Sequence, residues 1–134
     1  MEEKSELIPV WLALAEEKLE VAHELLGLSR FDDAVSKAYY VMFYSAKAAL
    51  LAVDVDLRRH SAVVSQFGQH FVKGGYADRR YSRILARAMQ AREASDYDPR
   101  TRASQQDAQQ AVADAEAFLE KAREILGKVL GEDT

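Results

Sequence analysis

The chain has 134 residues, no cysteine and a formal net charge of −4. That length fits a single domain with a sizeable buried core, and the missing cysteines exclude disulfides, cysteine–zinc sites and thiol chemistry. Few Gly and Pro residues beside abundant Ala, Leu, Glu and Arg indicate an all-α fold. The acidic start MEEKSELIPVW lacks a basic-then-apolar signal pattern, so a cytoplasmic location is the expectation.

The first helix is expected to begin between Glu6 and Pro9, since proline is tolerated in a first turn. Ile8, Leu12, Ala15, Leu19, Ala22 and Leu26 recur at three- and four-residue steps and mark its apolar face. Gly27 is the predicted stop. His23, among acidic neighbours, is read as a surface side chain without a role.

The short connection Leu28-Ser29-Arg30 makes the next helix an antiparallel neighbour of the first. That second segment, FDDAVSKAYYVMFYSAKAALLAV from Phe31 to Val53, organises the rest of the chain. It is too long for a strand and apolar nearly all round, so it needs neighbours on several sides. Its charges and the shortness of its uninterrupted run argue against a membrane span. Asp32 and Asp33 sit at the positive end of its dipole. Lys37, Tyr40, Tyr44 and Lys47 form one stripe along it. The stripe reads either as an amphipathic edge with phenols reaching solvent or as a hydroxyl-and-ammonium strip facing a partner subunit or a phosphate.

Asp54 to Arg59 form a polar break, after which a third helix starts with Ser61 as its candidate N-cap and ends at Gly74-Gly75. His60, beside Arg58 and Arg59, lies where backbone N–H groups can hold an anion; capping or packing is its other reading. His70, near Phe71, is assigned to structure. The fourth helix is expected from Ala77 to Ser95, with Arg79, Arg80, Arg83 and Arg87 on its polar side. Arg92 and Asp96 are spaced for an ion pair, and Pro99 closes the segment. Ser104 and Asp107 open the last helix with a capping-box pattern, and its apolar stripe runs to about Leu130.

Charge is unevenly spread: −6 over residues 1–57, +6 over 58–102 and −4 over 103–134. A basic middle in an acidic chain is either a phosphate-facing surface or the inner half of an intramolecular charge match. The three histidines are not embedded in an HExxH pattern and no pair of helices shows the Glu-x-x-His ligand motif, so no metal site and no cofactor is expected. A glycine-rich phosphate loop is also missing. Arginines, phenols and a histidine without a metal suit phosphodiester chemistry, with a guanidinium stabilising phosphoryl charge and an imidazole or phenol handling protons.

SKAYYVMFYSAKAALL (Ser36 to Leu51), RRHSAVVSQFGQHFV (Arg58 to Val72) and REASDYDP (Arg92 to Pro99) occur in the order found in the HEPN family, which this chain resembles. The resemblance implies an antiparallel up-and-down bundle of four to five helices that homodimerises. It also implies a small nucleotidyltransferase as partner, often in a toxin–antitoxin pair. Active members are metal-independent ribonucleases with an Arg-x4-6-His motif whose copies meet across the dimer. Arg92 matches the motif arginine, but the residue five positions later is Tyr97. Two readings follow within the family. In one, Arg92 and Tyr97, with His60 brought near by the fold, bind or cut RNA. In the other, the protein binds a partner or a nucleotide without cutting, with Lys47, Tyr40, Tyr44 and Arg59 contributing to phosphate binding. A structural helical dimer that binds no nucleic acid is the third possibility.

Overall fold

The computed structural model describes residues 2–131. The helices are α1 (Glu2–Ser5), α2 (Ile8–Gly27), α3 (Phe31–Leu51), α4 (Val63–Phe67), α5 (Arg79–Tyr97) and α6 (Gln105–Val129). A 3₁₀ turn at His60–Ala62 leads into α4, and a π turn at Gly68–Val72 continues it. The all-α bundle indicated by composition is the architecture observed.

α3 is the axis. Ala38, Val41, Ala46, Ala48, Ala49 and Leu50 expose no surface at all, because α2, α4, α5 and α6 all pack against this helix. Alanine explains how so many neighbours fit. Ala15 and Ala22 of α2 and Ala115 and Ala122 of α6 are likewise fully buried, so backbones approach closely with little side-chain entropy lost. Where α4 and its π turn need larger filling, Phe67 lies 5.3 Å from Phe71 and 4.9 Å from Phe118, ring centre to ring centre. All three are 0–1% exposed.

The helix ends follow local chemistry, with two departures from the pattern read off the sequence. Ser104 and Asp107 form the reciprocal capping box at the start of α6, and the Asp78 side chain caps α5 at Arg80 N–H. Ser61, by contrast, lies inside the 3₁₀ turn, and no side chain caps α4. The turn out of α2 is made by Ser29, at φ 60°, while Gly27 is still helical. The chain reverses so tightly after Leu28 that the left-handed residue falls two places beyond the glycine. Gly74 is needed for space: a Cβ there would stand 2.5 Å from the His70 carbonyl oxygen.

Asp32 ties the start of α3 to the segment entering α6. Its carboxylate accepts from Ala103 N–H and, at 3.0 Å, from Arg102. The Ala103 bond, and then the Arg102 guanidinium, hold this carboxyl below the ordinary aspartate range against the opposing effect of burial. A lowered folded-state value means the contribution is full above the unfolded-chain value, about 3.9, and disappears as pH falls through the folded value. Asp32→Ala is therefore expected to lower stability by about 1–2 kcal/mol at pH 7. In urea titrations the gap from the parent protein should narrow progressively as pH falls below the unfolded-chain value; a gap that does not narrow with falling pH would assign the effect to packing.

Candidate functional site

The side chains that converge on one corner of the bundle come from α3, α5 and the 3₁₀ turn. α3 contributes Tyr39, Tyr40 and Phe43, which successive turns of one helix place side by side. Tyr39 and Tyr40 meet edge to face at 5.3 Å. The turn at His60 lays its imidazole flat on Phe43, with ring centres 3.9 Å apart and planes 9° from parallel. Tyr39 Oη and His60 Nδ1 are 2.8 Å apart. Tyr39 is fully buried, whereas His60 keeps an exposed edge.

Arg92 reaches in from α5. Its guanidinium carbon lies 5.0 Å from the Tyr39 ring centre and 5.7 Å from that of Tyr40, distances at which ring faces attract cations. Nη1 makes a long contact of 3.5 Å to Tyr40 Oη and donates at 3.2 Å to Asp96. Asp96 is 54% exposed and the Arg92 side chain 20%, so that pair is solvent-screened and weak. Nε is buried and has no hydrogen-bond partner among the described residues. Most of the guanidinium's donor capacity is thus uncommitted.

The electrostatics follow from crowding. Burial, then the nearby charges of Arg92 and Lys47, push the His60 imidazole below its ordinary value. It is neutral at physiological pH. Burial drives the Tyr39 phenol up to about 12 despite Arg92 and also raises Tyr44, with Tyr40 adding to the effect. These phenols are not ionised near neutrality.

The remaining residues singled out in the sequence have distinct places. Tyr44 stacks on Trp11 at 5.5 Å and continues the aromatic row from Tyr40 at 5.9 Å. Lys47 ends that row, with its ammonium 4.7 Å from the Trp11 ring centre and donating to the Leu57 carbonyl at 2.7 Å. Arg59 is exposed at the rim beside His60. Tyr97, at the end of α5, is 86% exposed and makes no ring contact or hydrogen bond with Arg92 or His60 among those described. Nothing in the sequence distinguishes Tyr39, Phe43 and Trp11 from core residues. An aromatic on an all-apolar helix carries no sign of which neighbour it will meet.

Other charged groups are arranged differently. Arg87 pairs with the buried Asp114 at 2.9 Å, and His23 and Arg123 pair with Glu116 and Glu16 across α2 and α6. The charge match is therefore partial: Arg79, Arg80 and Arg83 have no carboxylate partner among the described residues. On the other flank of α5 a cavity of about 250 Å³ opens toward α6, floored by Val35, Met42, Ile84 and Ala88. Among the described residues no group of three His, Asp or Glu side chains could hold a metal ion. Nor is any described helix long and apolar enough to cross a membrane.

Comparison with known proteins adds ancestry to this geometry. Residues 8–125 match the HEPN domain. A Methanocaldococcus jannaschii protein named "Putative toxin MJ0605" is 33% identical over 125 residues, covering 93% of this chain and 92% of that one. The UPF0332 protein glr0978 of Gloeobacter violaceus is 38% identical over 115 residues, 85% of this chain and 91% of its own. A second M. jannaschii protein, "Putative toxin MJ0142", is 31% identical over 112 residues, covering 84% and 76%.

Proposed function

This chain belongs to the HEPN domain family, and we propose that it is a toxin-like member that holds an RNA or nucleotide phosphate at the Arg92 corner and works with a small nucleotidyltransferase. The toxin names of two relatives support the first part of this reading, and the family resemblance supports the partner. One observation carries the phosphate assignment: Arg92 is mostly buried, lies over two phenol rings and faces no buried carboxylate. Among the described residues its one acidic contact is the half-exposed Asp96. A desolvated guanidinium with donors to spare attracts an anion strongly, because its charge is poorly screened. Beside it stands a neutral imidazole, and Tyr40, Tyr44 and Trp11 extend the corner as aromatic faces on which unpaired bases can stack.

Binding without cleavage is the favoured form of this reading, since Tyr97 occupies the position of the motif histidine and its ring is 86% exposed. The enzymatic alternative is a metal-independent endoribonuclease in which Arg92 acts at a homodimer interface, with its counterpart across the axis. A short single-stranded RNA is expected to raise the melting temperature in a concentration-dependent way and to remain intact when the protein is incubated with it in chelator. Chelator-insensitive cutting would replace binding with catalysis. No shift with RNA or with nucleotides would reject the phosphate site. Co-expression with a minimal nucleotidyltransferase encoded beside it is expected to give a complex in size-exclusion chromatography, and separate elution would remove the partner from the reading.

A further inference from the structure

Tyr39 exposes none of its surface, yet it carries a hydroxyl whose one hydrogen-bond partner among the described residues is His60 Nδ1, at 2.8 Å. A phenol can donate and accept, whereas neutral imidazole has one nitrogen of each kind. If Nδ1 bore the ring proton, it would donate to the phenol oxygen, and the phenol proton would be left without an acceptor in a site closed to solvent. A buried donor left unsatisfied is costly. If Tyr39 donates, both groups are satisfied and the imidazole proton resides on Nε2. Resting on the reading of the Arg92 corner as a phosphate site, we propose that Tyr39 is a positioning residue that locks neutral His60 in its Nε2–H tautomer, so that His60 and Arg92 present donors to the same phosphate group.

The surroundings reinforce this arrangement. Stacking on Phe43 at 3.9 Å fixes the plane of the imidazole, and the bond to Tyr39 fixes its rotation within that plane. Nε2 is then the nitrogen left for a ligand. The charged and titratable groups around the ring are Tyr39, Tyr40 and Lys47 from α3, Arg92 from α5 and the preceding Arg59. Glu93 of α5 acts on the Tyr39 phenol and Asp96 pairs with Arg92, but among the described residues the charges that act on the imidazole itself, Arg92 and Lys47, are cationic and disfavour an imidazolium. The phenol stays protonated, its value lying near 12 through burial. In this state His60 cannot take a proton at Nε2. It acts as a hydrogen-bond donor, and the corner becomes a double-donor receptor for phosphate oxygens.

Long-range ¹H–¹⁵N correlation spectra of the unliganded full chain at pH 7.5 test the tautomer directly. The expected pattern for His60 is an unprotonated Nδ1 and a protonated Nε2. In Tyr39→Phe, which keeps the ring and removes only the hydroxyl, the two nitrogens should move toward a mixed pattern, and the affinity for a labelled single-stranded RNA should fall roughly fivefold, the equivalent of one hydrogen bond. A proton found on Nδ1 in the parent protein would overturn the proposal without touching the phosphate reading. An unchanged His60 spectrum in Tyr39→Phe would do the same. If the Nε2–H tautomer is found but neither RNA nor inorganic phosphate perturbs the His60 signals, the phosphate reading fails while the positioning role of Tyr39 stands.

Discussion

Replacing Arg92 with alanine is expected to weaken binding of single-stranded RNA by roughly thirtyfold to a few thousandfold. The range comes from the roughly 2–5 kcal/mol that removal of one member of a desolvated, hydrogen-bonded charge pair costs. Arg92→Lys should recover only part of it. A lysine keeps the charge but cannot lie flat over Tyr39 and Tyr40 or offer donors in a planar fork. Some stability goes as well, since cation–π contacts of this kind contribute about 0.5–2 kcal/mol. The titrations therefore belong at a temperature where both variants are folded, verified by circular dichroism. Equal affinities for parent and Arg92→Ala would mean that phosphate is held elsewhere, with Arg79, Arg80 and Arg83 of α5, which have no carboxylate partner among the described residues, as the next place to look.

Phe118→Ala is expected to be the most damaging single change of the core, at about 3–5 kcal/mol. Phe118 is 1% exposed and meets Phe67 at 4.9 Å and Tyr81 at 6.4 Å. It thereby couples α6 to both α4 and α5. Deleting its ring leaves a cavity that three elements cannot close together. Against a total of some 5–15 kcal/mol for a domain of ordinary stability, such a loss puts the protein near its unfolding threshold. The urea midpoint should fall accordingly with the slope unchanged. Leu28→Ala is the control: that side chain is 70% exposed, and its removal should stay within about 0.5 kcal/mol. Similar shifts for the two variants would contradict the packing described for α6.

The two variants act on different properties because the corner and the core share α3 but use opposite kinds of side chain. Tyr39 is the point of overlap. Its ring belongs to the core, 6.0 Å from Phe43, while its hydroxyl belongs to the site. That dual membership leaves no mark in the sequence, where Tyr39 is one more aromatic on a helix apolar nearly all round. The stripe Lys37, Tyr40, Tyr44 and Lys47 was visible as a repeat, yet its members behave differently in the fold. Tyr40 and Tyr44 form part of the aromatic row, whereas Lys47 spends one donor on the Leu57 carbonyl. Arg92 stands in the sequence both as the match to the motif arginine and as an ion-pair partner of Asp96, and that pair forms at 3.2 Å. Its position over two tyrosines could not be read from any spacing.

What the amino-acid order dictates here is local: that α3 is apolar on every side and must lie at the centre, that Ser104 and Asp107 open α6, and that the ends of α2 and α5 fall near their turns. Such features depend on residues within one or two helical turns of each other, so periodicity and capping chemistry suffice to find them. The corner depends instead on contacts across the chain. His60 meets Tyr39 across 21 residues, and Arg92 meets Tyr40 across 52. A helical pattern says which face will be covered, not which neighbour covers it. Only the packing of α5 and of the turn before α4 onto α3 selects those partners, and with them the protonation of the histidine and the exposure of the guanidinium.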